Sequence, residues 1–242
     1  MNARKHLALI VVGIFLLSLA FSFYYQISPT SDAKAYTRIA RNFAAGRGYI
    51  HNIENTGNVA RDDAIVRVGP GYEFFLAALY WLMGGQTLWL VWIAHGILRA
   101  LAAFFVYKLA LHVFRRESIA LGAALIFGVI PDFIVVSGML LAETLFLFLV
   151  VLGTYVSLLL LEKSSYQRTL GASFVWGLAS LVRPTALPMM LLAAGFLWYQ
   201  KQRTHAVLLL FFPILLTSAW SVRNSLLYHE PLFTPTAGSY AL

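Results

Sequence analysis

"MNARKHLALIVVGIFLLSLAFSFYYQ", residues 1–26, opens the chain, and whether it is a removable leader or a retained helix decides the fold. Arg4, Lys5 and His6 precede the apolar run, as basic residues do in a secretory leader. The apolar core of a leader spans roughly 7 to 15 residues and ends at small residues. Here the run continues from Leu7 to Phe23 and ends in Phe23, Tyr24 and Tyr25. Tyr at the end of an apolar helix marks a membrane–water boundary. The stretch therefore reads as a retained transmembrane helix with its basic end in the cytoplasm.

Composition points the same way. Hydrophobic residues make up 60% of the 242 and charged residues 12%, against about 45–50% and 25% in an ordinary soluble domain. The net charge of +8 does not indicate nucleic acid, because Lys and Arg fall in short tracts between apolar runs, where cytoplasmic loops carry them. The absence of cysteine excludes disulfides, thiolate nucleophiles and thiolate metal sites.

Further apolar segments cover residues 71–84, 87–114, 118–131, 138–161, 169–182, 184–199 and 206–222. If every one crossed, Arg115, Arg116, Lys163 and Arg168 would face outward, against the positive-inside rule. Removing one early crossing repairs all the loops. Segment 71–84 is the one to remove, since 14 residues reach about 21 Å as a helix against a hydrocarbon core of roughly 30 Å. The expectation is an all-α polytopic membrane protein, a single membrane domain over 1–242 with about seven transmembrane helices. Its N-terminus is cytoplasmic, its C-terminus is outside, and a large outer loop runs over 28–86. Segment 71–84 lies along the surface or dips in without crossing, and 118–131 is a short span ended by Gly128 and Pro131.

Directly after the first span stands "ISPTSDAKAYTRIARNFAAGRGY", residues 27–49. Tyr36, Ile39, Ala40, Phe43 and Ala44 follow the i, i+3, i+4 rhythm of one helix face, while Lys34, Arg38 and Arg41 take the other. This predicts an amphipathic interfacial helix over 32–45, with Ser31 as N-cap and Gly46 as its stop. Asp32 falls in the first turn, where free N–H groups favour a carboxylate. Local pattern leaves it as a cap or as a functional acid.

The order of features resembles the GT-C superfamily of membrane glycosyltransferases, which includes protein mannosyltransferases and aminoarabinose transferases. The resemblance spans nearly the whole chain and rests on "SDAKAYTRIARNFAAGRGY", "RVGPGYEFFLAALYWLMGG", "PDFIVVSGMLLAETLFLF", "GLASLVRPTALP" and "AWSVRN" followed by "PLFTPTAGSY". It implies an enzyme of the plasma (inner) membrane that takes a sugar from a polyprenyl-phosphate carrier at the periplasmic face. The acceptor would be a lipid, protein or glycan. In that family the acid opening the first outer loop is the catalytic base or a metal-binding carboxylate, and Asp32 matches it. Many relatives carry a second acid beside it, where this chain has Ala33. In the family a variable module follows the seven-span core, and this chain ends at Leu242.

Inverting transfer from such a donor needs a base for the acceptor proton and cations for the departing phosphate. Arg183 in "VRP" and Arg223 in "VRN" match family positions and suit a phosphate through their planar forks. Snorkelling at a span end, interfacial anchoring, or an ion pair between Arg183 and Glu143 are the structural readings of the same cations. Glu143, Asp132, Asp62, Asp63 and His51 are the residues that would supply a second carboxylate or ligands for a divalent metal ion, without compact ligand spacing. His95 and Arg99, four apart, share one helix face at mid-membrane and read as buried packing. Gly69, Pro70 and Gly71 read as a turn aiming the surface segment. A second function remains open: a non-catalytic relative that binds a lipid-linked sugar or scaffolds a partner enzyme. A transporter would show matched broken repeats, and none is legible.

Overall fold

The computed structural model describes residues 3–29, 32–51, 69–228 and 231, and all regular structure among them is helical. In chain order the helices are α1 (Ala3–Tyr25), α2 (Asp32–Ala44), α3 (Pro70–Leu82), α4 (Leu88–Phe114), α5 (Glu117–Val129) and α6 (Pro131–Gly138). They continue with α7 (Glu143–Glu162), α8 (Tyr166–Val182), α9 (Ala186–Tyr199), α10 (Arg203–Leu209) and α11 (Phe211–Tyr228).

Among the described residues, α1, α4, α7 and the stretch Arg203–Leu227 are long and apolar enough to cross a membrane. A fifth crossing is formed if α5 and α6, bent by 51°, act together. The chain is an all-α polytopic membrane protein. Reaching seven crossings requires α8 and α9 as well, and these have 17 and 14 residues, short of the roughly 20 that span a bilayer upright.

The helix at 70–82 is short by construction. Gly84 is left-handed (φ 69°), its N–H bonds Trp81 O at 3.2 Å and that of Gly85 bonds Tyr80 O at 2.9 Å. These paired bonds close the last turn and stop the helix. The same device ends α2, where Gly46 (φ 73°) bonds Phe43 O at 3.0 Å and Arg47 bonds Asn42 O at 3.0 Å. Along α2, Tyr36, Ile39 and Ala40 are buried, Ala44 is half-buried and Phe43 is exposed, as are Lys34, Arg38 and Arg41. Ser31 lies outside the described residues.

Two expected features near Pro131 take another form. The chain does not enter a loop there: Pro131, at the first position of α6, restarts the helix after the bend, so Asp132 sits in a helical first turn. Gly128 is a close-packing residue instead of a stop, because a Cβ there would run into the Ile14 side chain of α1.

The chain forms two compact units, Met1–Lys34 with Gln86–Tyr155, and Ala35–Gly85 with Val156–Leu242. In the first, α1 packs against α4, α5 and α6. Its buried residues Ile14, Ser18 and Ser22 fall four apart on one stripe. Small residues let helices approach closely where no water drives them together, and Gly96 of α4 accordingly lies against Phe15 and Leu19. In the second unit α8 is the hub, touching α3, α9, α10 and α11. Its Trp176 is buried and donates to Ser157 Oγ at 3.0 Å, while Ser173 Oγ accepts from the Phe212 N–H at 3.0 Å.

Candidate functional site

In the second unit the end of α8 is where phosphate-binding chemistry was expected. Arg183 follows Val182 directly, half-buried, with extended backbone (φ −148°, ψ 128°) and its N–H on Ala179 O at 2.8 Å. The physical reason is Pro184: its ring disfavours the helical region for the preceding residue. The helix must stop, and the arginine is held at its tip.

Against that tip lies the turn Gly69-Pro70-Gly71. A Cβ on Gly69 would strike the Leu181 carbonyl oxygen, and one on Gly71 would come within 2.8 Å of Val182 N. Neither glycine has a positive φ, and Gly69 is extended (φ −68°, ψ 141°). Space, not backbone conformation, demands them. The expected turn is a backbone-to-backbone contact that carries the first turn of α3 to the residue before Arg183.

That first turn presents Glu73, which reading the sequence for site residues missed. Glu73 is fully buried, and neither carboxyl oxygen has a hydrogen-bond partner among the described residues. Burial raises its pKa to about 8. It is therefore uncharged at neutral pH. Tyr49 is also buried, and its pKa is raised, first by burial and then by Glu73. The Tyr49 hydroxyl has no hydrogen-bond partner among the described residues either.

Arg223 of α11 completes the group. Its guanidinium lies over the rings of Trp220 (4.6 Å) and Tyr49 (5.3 Å), and it donates to Asn224 Oδ1 at 2.9 Å. Two aromatic faces fix the cation by its quadrupole attraction. Tyr49, Trp220 and Phe74 meet edge to face, with centroids 5.0 to 5.9 Å apart. The loop bearing Tyr49 is pinned from α2, where buried Asn42 donates to Ile50 O at 2.9 Å and His51 O at 3.2 Å. His51 is thus half-buried and held by its backbone.

The other expected residues are Asp32, Asp132, Glu143, Asp62 and Asp63. Asp32 belongs to the first unit and is exposed in the first turn of α2. Asp132 and Glu143 share a cavity of about 220 Å³ with Arg99 in the first unit. Arg99 is buried as expected, donating to Ser18 Oγ at 2.6 Å and to the Gly128 carbonyl, while His95 donates to Ser137 O at 3.1 Å. Asp62 and Asp63 lie outside the described residues. Among the described residues no three metal-ligating side chains converge.

No curated protein and no solved structure matches the chain. The family model for dolichyl-phosphate-mannose-protein mannosyltransferases matches residues 67–222, which is more than half of the 242. The matched region starts just before the glycine turn, contains Glu73, Glu143 and Arg183, and stops one residue short of Arg223. The chain belongs to the dolichyl-phosphate-mannose-protein mannosyltransferase family and carries its GT-C-type membrane glycosyltransferase module.

Proposed function

We propose that the protein transfers a sugar from a polyprenyl-phosphate carrier to a hydroxyl of a lipid, protein or glycan acceptor, at the periplasmic face of the plasma membrane. The observation that carries this is the family membership together with Arg183, held half-buried at the tip of α8 within the matched region. An arginine that stays charged and offers a planar fork suits a phosphate diester whose tail remains in lipid. Arg223, laid on two rings, is the second cation.

In the proposed step Asp32 accepts the proton of the acceptor hydroxyl. The oxygen attacks the anomeric carbon from the face opposite the phosphate. The bond from that carbon to the phosphate oxygen breaks, its electron pair leaves with the polyprenyl phosphate, and the configuration inverts. Arg183 and Arg223 balance the charge that develops on the phosphate. The exposure of Asp32 supports the role, because a base must meet an acceptor arriving from outside.

Asp32→Asn tests it. Loss of a general base typically costs about 10²- to 10⁴-fold. Transfer from a lipid-linked sugar should fall by that factor while insertion and carrier binding persist. Transfer at the wild-type rate refutes the assignment. Carrier binding without turnover by the unaltered protein, across a panel of acceptors, shows a non-catalytic relative instead.

A further inference from the structure

Four buried polar atoms of the second unit have no hydrogen-bond partner among the described residues and lie around one cluster of rings, Tyr49, Phe74 and Trp220: Oε1 and Oε2 of Glu73, the residue before Phe74, with Tyr49 OH and Trp220 Nε1. Leaving such atoms unpaired is costly. Nothing in the helix packing requires them, since α3 could bury leucine at position 73. We propose that Glu73 and Tyr49 form a sugar-binding site, their carboxyl and phenol oxygens taking up ring hydroxyls of the sugar on the lipid-linked donor.

The chemistry of the set selects the ligand. An indole N–H only donates, a phenol does both, and an uncharged carboxyl does both. A polyol, whose every hydroxyl donates and accepts, satisfies that mixture. A metal ion would need more anionic ligands than one carboxyl provides, and no such cluster forms among the described residues. A phosphate would prefer the cation. A hydrocarbon chain would leave every one of these atoms unpaired.

Placement agrees. In a sugar phosphate ester the sugar and the phosphate are one bond apart, so a sugar site must adjoin a phosphate site. Tyr49 links the two: its ring lies under the Arg223 guanidinium at 5.3 Å and against the ring of Phe74, the residue after Glu73, at 5.7 Å. An uncharged Glu73 also avoids repelling a phosphate held at Arg223. Access requires the Tyr49 ring to turn aside, and Tyr49 sits in the loop after α2, not in a helix. The inference rests on the lipid-linked donor reading above, and deepens it.

The test uses the full chain in nanodiscs with three probes: dolichyl phosphate, and the same lipid esterified to mannose or to glucose. Wild type should bind a sugar ester at least tenfold more tightly than dolichyl phosphate. Glu73→Leu should bring that preference to within about twofold, leave affinity for dolichyl phosphate unchanged, and raise the melting temperature. Should Glu73→Leu not fold, Tyr49→Phe keeps the ring and removes one hydroxyl, and it should cut the preference three- to tenfold. Preference retained in both variants, or absent from wild type, overturns the sugar site while the phosphate reading stands. Wild type that binds none of the three probes removes both.

Discussion

Arg99 and Glu73 are both sealed ionisable side chains, one in each unit, and they are treated oppositely. Arg99 has Ser18 Oγ and the Gly128 carbonyl to receive its two terminal nitrogens, and only Nε has no partner among the described residues. Both partners come from helices that touch α4 through small residues, so the cation is built into the packing. Glu73 has no hydrogen-bond partner among the described residues, although the Tyr49 hydroxyl faces it. A charge that finds most of its partners inside the fold belongs to the fold. An acid left without them lowers stability unless something from outside completes it.

The strongest break of this contrast is Arg99→Ala. It opens a cavity and orphans the Ser18 and Gly128 acceptors, so unfolding in detergent should show a loss of about 3–5 kcal/mol. Glu73→Leu should move the other way, with a gain of about 1–3 kcal/mol, the usual cost of an unpaired buried polar group. A loss on Glu73→Leu would make the two sites alike and remove the contrast.

The pH dependence of stability sharpens it. Glu73 holds its proton in the folded state up to about pH 8, against an ordinary value of 4.5. Between those values the folded state binds more protons than the unfolded one, so the stability it contributes at low pH is lost as pH rises. Relative to Glu73→Gln, wild type should lose up to about 1.4 kcal/mol per pH unit across that window and flatten above it. A flat difference from pH 5 to 8 would show that Glu73 is solvated. Least affected should be Arg99→Lys, which keeps the charge but forgoes the two-armed reach, at about 1 kcal/mol; equivalence of Lys with Ala would show that charge contributes nothing there.

Much of this architecture was legible in the sequence. The spans at α1 and α4 follow from sustained apolar length, and the shortness of α3 followed from comparing its residues with bilayer thickness and from the placement of arginines. Gly46 was readable as a helix stop because a left-handed closing residue favours glycine. Pro131 announced a break, but whether a chain turns away or restarts a helix after proline depends on what the next turn packs against. The two glycines around Pro70 looked like a turn; their reason is the Leu181 backbone, over 100 residues away in sequence.

Glu73 was illegible for a similar reason. An acid in "PGYEFF" at the start of a helix looks like ordinary dipole complementation. Its surroundings come from residues that sequence order separates: Tyr49 before it and, against the turn that carries it, Leu181 and Val182 far beyond. Asp32 and Arg183 were readable as residues from their motifs, yet a motif states no side of the membrane.

That side can be measured. The chain has no native cysteine, so Asp32→Cys and Arg183→Cys each introduce a single thiol against a silent background. A membrane-impermeant maleimide applied to intact spheroplasts should label both from the outer side and neither from the cytoplasmic side of inverted vesicles. Labelling of the two positions from opposite sides would contradict a shared active face, and with it the transfer mechanism.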